Sequence, residues 1–135
     1  MRYNPYENEY RAVQSMSDGE LLDYFLLRVF ETEEVWGLQQ RGQWFVQAAP
    51  DIRHMPLWPY KKYASEAALD IWQDCVPHAL SLEYFLDHTV PWLIEQDVML
   101  NLIPRGETLG CLISPHRLRD ILVGMQDAGE YRLDG

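Results

Sequence analysis

Eight prolines, at positions 5, 50, 56, 59, 77, 91, 104 and 115, punctuate this chain. Proline lacks an N–H and its ring clashes with the preceding helical turn, so it is excluded from helix interiors and central strands but fits the first turn of a helix. Between them the strongest signal is Ser17-Asp18-Gly19-Glu20, a serine followed three residues later by glutamate, which reads as a capping box. Leu22, Phe25, Leu26 and Val29 follow at helical spacing and predict a helix over 18–32, with Leu27 turned away from its buried side.

Trp36 and Leu38, then Trp44, Val46 and Ala48, alternate on either side of Arg41-Gly42 and predict a hairpin. Residues 49–56 read as loop, and Leu57 to Tyr60 as at most a short edge strand because of Pro59. Ser65 is the expected cap of a helix over 65–74, closed by Pro77. His78 to Leu82 read as a very short strand. Ser81 caps a further helix that Pro91 must kink or split across 82–96. Residues 98–103 and 110–113 predict a second hairpin. Ser114-Pro115, a cap with proline at the first helical position, opens a last helix carrying Leu118, Ile121, Leu122 and Met125, ended by Gly129. The order predicts an α+β fold: two antiparallel hairpins in one sheet, packed by about four helices, as a single domain over 17–128. Residues 1–16 are expected as an extended arm and 129–135 as a tail.

With 135 residues, 47% of them hydrophobic, the chain can bury one core. No uncharged apolar run is long enough to span a membrane, and the opening residues lack the apolar stretch of a signal peptide, so a cytoplasmic location is the expectation. Cys75 and Cys111 match no metal or redox spacing and read as buried free thiols. The formal charge of −10 argues against nucleic acid, which needs clustered cations, and against anionic membranes. The charge is uneven. Residues 65–97 hold seven acids and no lysine or arginine, whereas 35–64 hold Arg41, Arg53, Lys61 and Lys62 against Asp51.

That basic island contains His54 to Glu66, the densest cluster of chemically capable side chains. Trp58 and Tyr60 offer rigid contact area, and Lys61, Lys62, Arg41 and Arg53 would draw an anion. The competing reading pins Trp58 into the core between two prolines and leaves the lysines as solvated loop charges. A second candidate is the start of the last helix, where His116, Arg117 and Arg119 surround free N–H groups that suit an anion. The four histidines show no metal spacing, and there is no nucleophile elbow, phosphate loop or dinucleotide fingerprint, so no catalytic residue, metal or cofactor is expected.

"YFLLRVFETEEVWGL", "PLWPYKKYA", "SLEYFLDHTVPWLIEQDVMLNLIP" and "ISPHRLRDIL", in that order, resemble the small bacterial proteins catalogued as domain of unknown function 2750, over about 17–125. The resemblance implies a compact α+β domain in bacterial cytoplasm and brings no activity. The function expected is a non-enzymatic protein-binding or regulatory module, of the immunity kind in which an acidic protein covers a basic one. The alternative is a small enzyme or ligand-binding protein holding an anion on the basic island. Self-association through the first helix is compatible with both.

Overall fold

In the computed structural model, which describes residues 5–49, 52–70, 72–106 and 108–134, the chain runs α1 (Glu7–Val13), α2 (Asp18–Thr32), β1 (Glu34–Gln40), β2 (Gln43–Trp44), β3 (Gln47–Ala49), β4 (Ile52–Leu57) and α3 (Lys61–Leu69). It continues through β5 (Val76–Ser81), α4 (Leu82–Tyr84), a π-helical turn (Phe85–Thr89), α5 (Val90–Glu95), β6 (Met99–Leu102), β7 (Cys111–Ile113) and α6 (Pro115–Asp134). This is a single α+β domain. Its strands form two sheets, ordered β2-β1-β5 and β3-β4-β6-β7, which corrects the expectation of one.

The first hairpin turns where expected. Arg41 and Gly42 both hold positive φ (55° and 78°), the geometry that suits a two-residue hairpin. Its second strand then leaves early. β2 pairs with β1 only at Gln39–Trp44 and Gln40–Gln43, and Phe45 N–H makes one more bond to Leu38 O (2.9 Å). Residues 47–49 cross over and pair with β4. The other edge of β1 is taken by β5, antiparallel over six residues from Glu34–Ser81 to Gln39–Val76. The very short strand expected at 78–82 is therefore longer and starts before Pro77. Pro77 is tolerated because β5 is an edge strand.

Residues 52–56, expected as loop, and Leu57, expected to open a short edge strand, form an interior strand, antiparallel to β3 and parallel to β6. Pro56 fits for a local reason. Leu57 O accepts from Ile103 N–H (2.8 Å), so Leu57 faces β6 and Pro56 faces the opposite side. There β3, which pairs only with residues 52–54, has already ended. The missing N–H of Pro56 thus breaks no ladder bond. Trp58 faces the same side as Pro56 and meets β1. Its N–H donates to Trp36 O (2.8 Å), and Trp36 N–H donates to Trp58 O (2.9 Å). This reciprocal pair joins the two sheets.

The helices follow their caps where caps exist. Ser17 Oγ accepts from Glu20 N–H, and Glu20 Oε1 accepts from Ser17 N–H (3.1 Å), which also holds the Glu20 carboxyl below its usual range. Leu21, Phe25 and Val29 are fully buried, and Leu27 is exposed as read. Ser81 Oγ accepts from Tyr84 N–H, and Ser114 Oγ from Arg117 N–H (3.1 Å each). Pro91 has no N–H to give the carbonyl four residues back. The helical run adjusts by widening, so that Val90 N–H bonds Phe85 O in a π turn.

Other ends differ from expectation. α3 begins at Lys61 rather than at Ser65 and stops at Leu69. It has no side-chain cap; burial of Tyr60, Tyr63 and Ala64 fixes its start instead. α6 runs through Gly129 to Asp134, so 129–134 is not an irregular tail. Residues 7–13, expected as extended arm, are helical. Acids lie in the first turn of α1 and Arg11 in its last, which complements the helix dipole. α1 is held by side chains. Val13 is fully buried, and Tyr10 stacks on Tyr63 (5.6 Å between centroids) and hydrogen bonds Glu66. Tyr24 Oη donates to Glu9 (2.6 Å) and lies 2.9 Å from Tyr63 Oη. Burial raises the pKa of Tyr24 and Tyr63, and the bond to Glu66 pushes Tyr10 up to about 12, so all three phenols keep their protons. Arg105 Nη1 donates to Val13 O and Gln14 O (3.1 and 3.2 Å) and ties off the end of α1.

Two substitutions test this frame. Trp58→Ala should cost about 3–5 kcal/mol, the range for large buried aromatics, read as a lower denaturant midpoint. Gly110→Ala should cost about 3 kcal/mol, the upper end of overpacking, because its methyl would sit 1.9 Å from Leu102 O.

Candidate functional site

The residues singled out from sequence do not converge. Trp58 and Tyr60 are each 1% exposed and present no face to a partner. Trp58 Nε1 donates to Pro104 O (3.2 Å), so its polar atom is also used internally. That corrects the contact reading for both. Lys61 and Lys62 are exposed, but each ammonium sits over a ring of this same chain: Lys61 over Trp36 at 5.9 Å and Lys62 over Tyr10 at 4.4 Å. Arg53, on the other sheet, donates to Gln96 O (3.0 Å), and Arg41 occupies the β1–β2 turn. At the start of α6, His116 and Arg119 are turned onto Asp120 (3.4 and 3.7 Å), and Arg119 Nη2 lies 2.9 Å from His116 Nδ1. Arg117 lends its N–H to Ser114.

The exposed aromatic surface is elsewhere. Trp44, Tyr84, His88, Thr89 and Trp92 line a groove of about 320 Å³. Tyr84 is 51% exposed and Trp92 37%. The Tyr84 and His88 rings lie against each other at 4.6 Å between centroids, tilted by 34°. His78 stands edge-on to Trp44 at 5.6 Å and backs its ring. Gly37 leaves Trp44 its seat, since a methyl there would come within 3.1 Å of Trp44 Cζ3. The sequence carried a signal for this groove. Tyr84, His88 and Trp92 recur every four residues, opposite the buried Leu82, Phe85, Leu86, Val90 and Leu93. Trp44, brought in from β2, has no such local signal.

A second concavity of about 280 Å³ lies between the four-stranded sheet and the loop after β6, lined by Gln47, Trp72, Asn101, Pro104, Gly106, Thr108 and Leu109. Its polar group is anchored: Asn101, 1% exposed, accepts the Gly110 N–H on Oδ1 (2.7 Å). Asn101 Nδ2 then faces His54 Nδ1 at 3.5 Å, a long contact. Because Nδ2 can only donate, Nδ1 of His54 accepts and its ring proton sits on Nε2. That N–H is buried and has no partner among the described residues. Burial lowers the His54 pKa, so the ring is neutral at pH 7.

Among the described residues no three His, Cys, Asp or Glu side chains gather to hold a metal ion, and no helix is long and apolar enough to cross a membrane. Cys75 and Cys111 are free and buried, and burial raises both thiols.

An antiparallel sheet and a mixed sheet joined at one backbone bridge, with an open aromatic groove on the β2 and α5 side, define a small α+β domain. A family model described as "Protein of unknown function (DUF2750)" matches residues 22–122, and the chain belongs to that family. No curated protein and no solved structure matches it.

His54 supplies a pH test. Its folded pKa lies below its unfolded value near 6.5, so the unfolded chain binds the extra proton first and stability is lost as pH falls below about 6.5. Wild type should therefore lose stability relative to His54→Gln between neutral and mildly acidic pH. Parallel curves for the two proteins would show that His54 titrates alike in both states.

Proposed function

We propose that this chain is a non-enzymatic binding module, of a regulatory or immunity-like kind, that receives a protein partner in the aromatic groove. One observation carries the reading. Two tryptophans and a tyrosine, the ring types that dominate binding hot spots, stand partly open around a single cavity. Two of them are backed by neighbours: Trp44 by His78 and the gap at Gly37, and Tyr84 by His88. Rigid rings lose little rotamer entropy on contact, which is how a small surface gains affinity.

A second reading has its own observation, the cavity of about 280 Å³ lined by Gln47, Trp72, Asn101, Pro104, Gly106, Thr108 and Leu109. Its mixed polar and apolar lining suits a small polar ligand. A compound that binds only the folded state raises the melting temperature, so a thermal-shift screen tests it.

For the protein-partner reading, tagged chain is used to capture proteins from cells, and the captured protein is purified and remixed. Tyr84→Ala and Trp92→Ala should each weaken the reconstituted complex by about 2 kcal/mol or more, as hot-spot truncations do. Lys61→Glu/Lys62→Glu should leave it intact. The reverse pattern would move the contact to the start of α3.

A further inference from the structure

Resting on the groove reading above, we infer that the groove takes a cationic side chain, arginine or lysine, from a basic segment of the partner protein. The rings come first. Tryptophan and tyrosine present electron-rich faces, and a cation over such a face is attracted most when it is withdrawn from water. Three such rings border the groove, and its volume of about 320 Å³ falls at the small end of ligand sites, enough for one side chain and its stem.

The surrounding charge agrees. Glu83, Asp87 and Glu95 are exposed on the helical run that carries Tyr84, His88 and Trp92. No lysine or arginine occurs between residues 65 and 97. Arg41, in the turn beside Trp44, is the basic side chain on the elements that build the groove, and it is outnumbered three to one. A basic segment is drawn to such a surface before it docks, and an acidic one is turned away.

The chain itself places cations over other rings. Arg28 lies over the buried Tyr24 at 5.6 Å, and Lys61 and Lys62 lie over the half-buried Trp36 and Tyr10. Among the described residues no cation of this chain covers Trp44, Tyr84 or Trp92. Among the described residues, then, three rings border the groove, acids flank two of them on the same helical run, and no cation of this chain lies over any of the three.

The test is selection of a random-peptide display library on the whole protein, with Trp92→Ala protein used to remove peptides that bind elsewhere. Peptides that survive are synthesised and titrated by calorimetry. The expected result is enrichment in arginine and lysine, with affinity lost about tenfold or more in Trp92→Ala and in Tyr84→Ala. Binding should also weaken at high salt and with Glu83→Gln/Asp87→Asn. Groove-dependent peptides that are neutral or acidic would overturn the cationic inference and leave the groove as a docking site. No peptide that depends on Trp92 or Tyr84 would overturn both. An unchanged denaturant midpoint shows that each variant is folded; should Trp92→Ala fail it, the more exposed Tyr84→Ala serves for both steps.

Discussion

Four residues, Pro56-Leu57-Trp58-Pro59, decide how the two sheets meet. Two of them have no N–H, so the segment has two backbone donors to place. Strand alternation sends successive residues to opposite sides. Leu57 turns to β6 and accepts on its carbonyl from the N–H of Ile103, just beyond that strand, while Trp58 turns to β1 and both donates to and accepts from Trp36. A longer run of free donors would have let one neighbour extend along the strand. The prolines limit each sheet to one residue here and make the segment a fork. The Trp58 indole then fills the fork, fully covered and tied to Pro104 O. The helices and loops around it, α3 with Tyr60 and Tyr63 and the turn at Ile103, are positioned from that point.

Ile103 shows how firmly that point is held. It is a β-branched residue with φ of 60°, a backbone state that costs about 1–3 kcal/mol and persists only where the surroundings impose it. Its N–H is committed to Leu57 O, and its side chain is fully buried. The contorted backbone sends the chain away from the sheet and back, so that Gly110 can lie against Leu102 O and donate to Asn101.

What the sequence made legible was local. Ser17 with Glu20, Ser81, and Ser114 with Pro115 mark helix starts through bonds that close within three residues. Arg41-Gly42 marks a turn by its backbone state, and Pro91 marks a distortion by the bond it cannot make. What stayed hidden depends on partners far along the chain. β4 is a strand because β6, some forty residues later, pairs with it in parallel; its own residues, with a proline and an arginine among them, read as loop. α1 folds because Tyr63 and Glu66 wait for Tyr10. The site suffered the same way. The aromatic-basic stretch 54–66 drew attention by density alone, and its rings proved to be core. The groove joins one readable stripe on a helix with a tryptophan from a distant strand.

The parallel pairing of β4 with β6 also interleaves the two sheets along the chain. His54 reaches Met99 only if everything between them is looped out, including β5, which belongs to the other sheet and pairs with β1. Neither sheet can close as a local hairpin and wait for its neighbour. Contacts that span such distances give little return until late, which slows folding and makes the transition steep. The same interleaving works in the folded molecule. Peeling β5 away loosens the crossover that holds β6, so amide protons in β1, β4 and β6 are expected to exchange together, as one cooperative unit rather than as two independently breathing sheets.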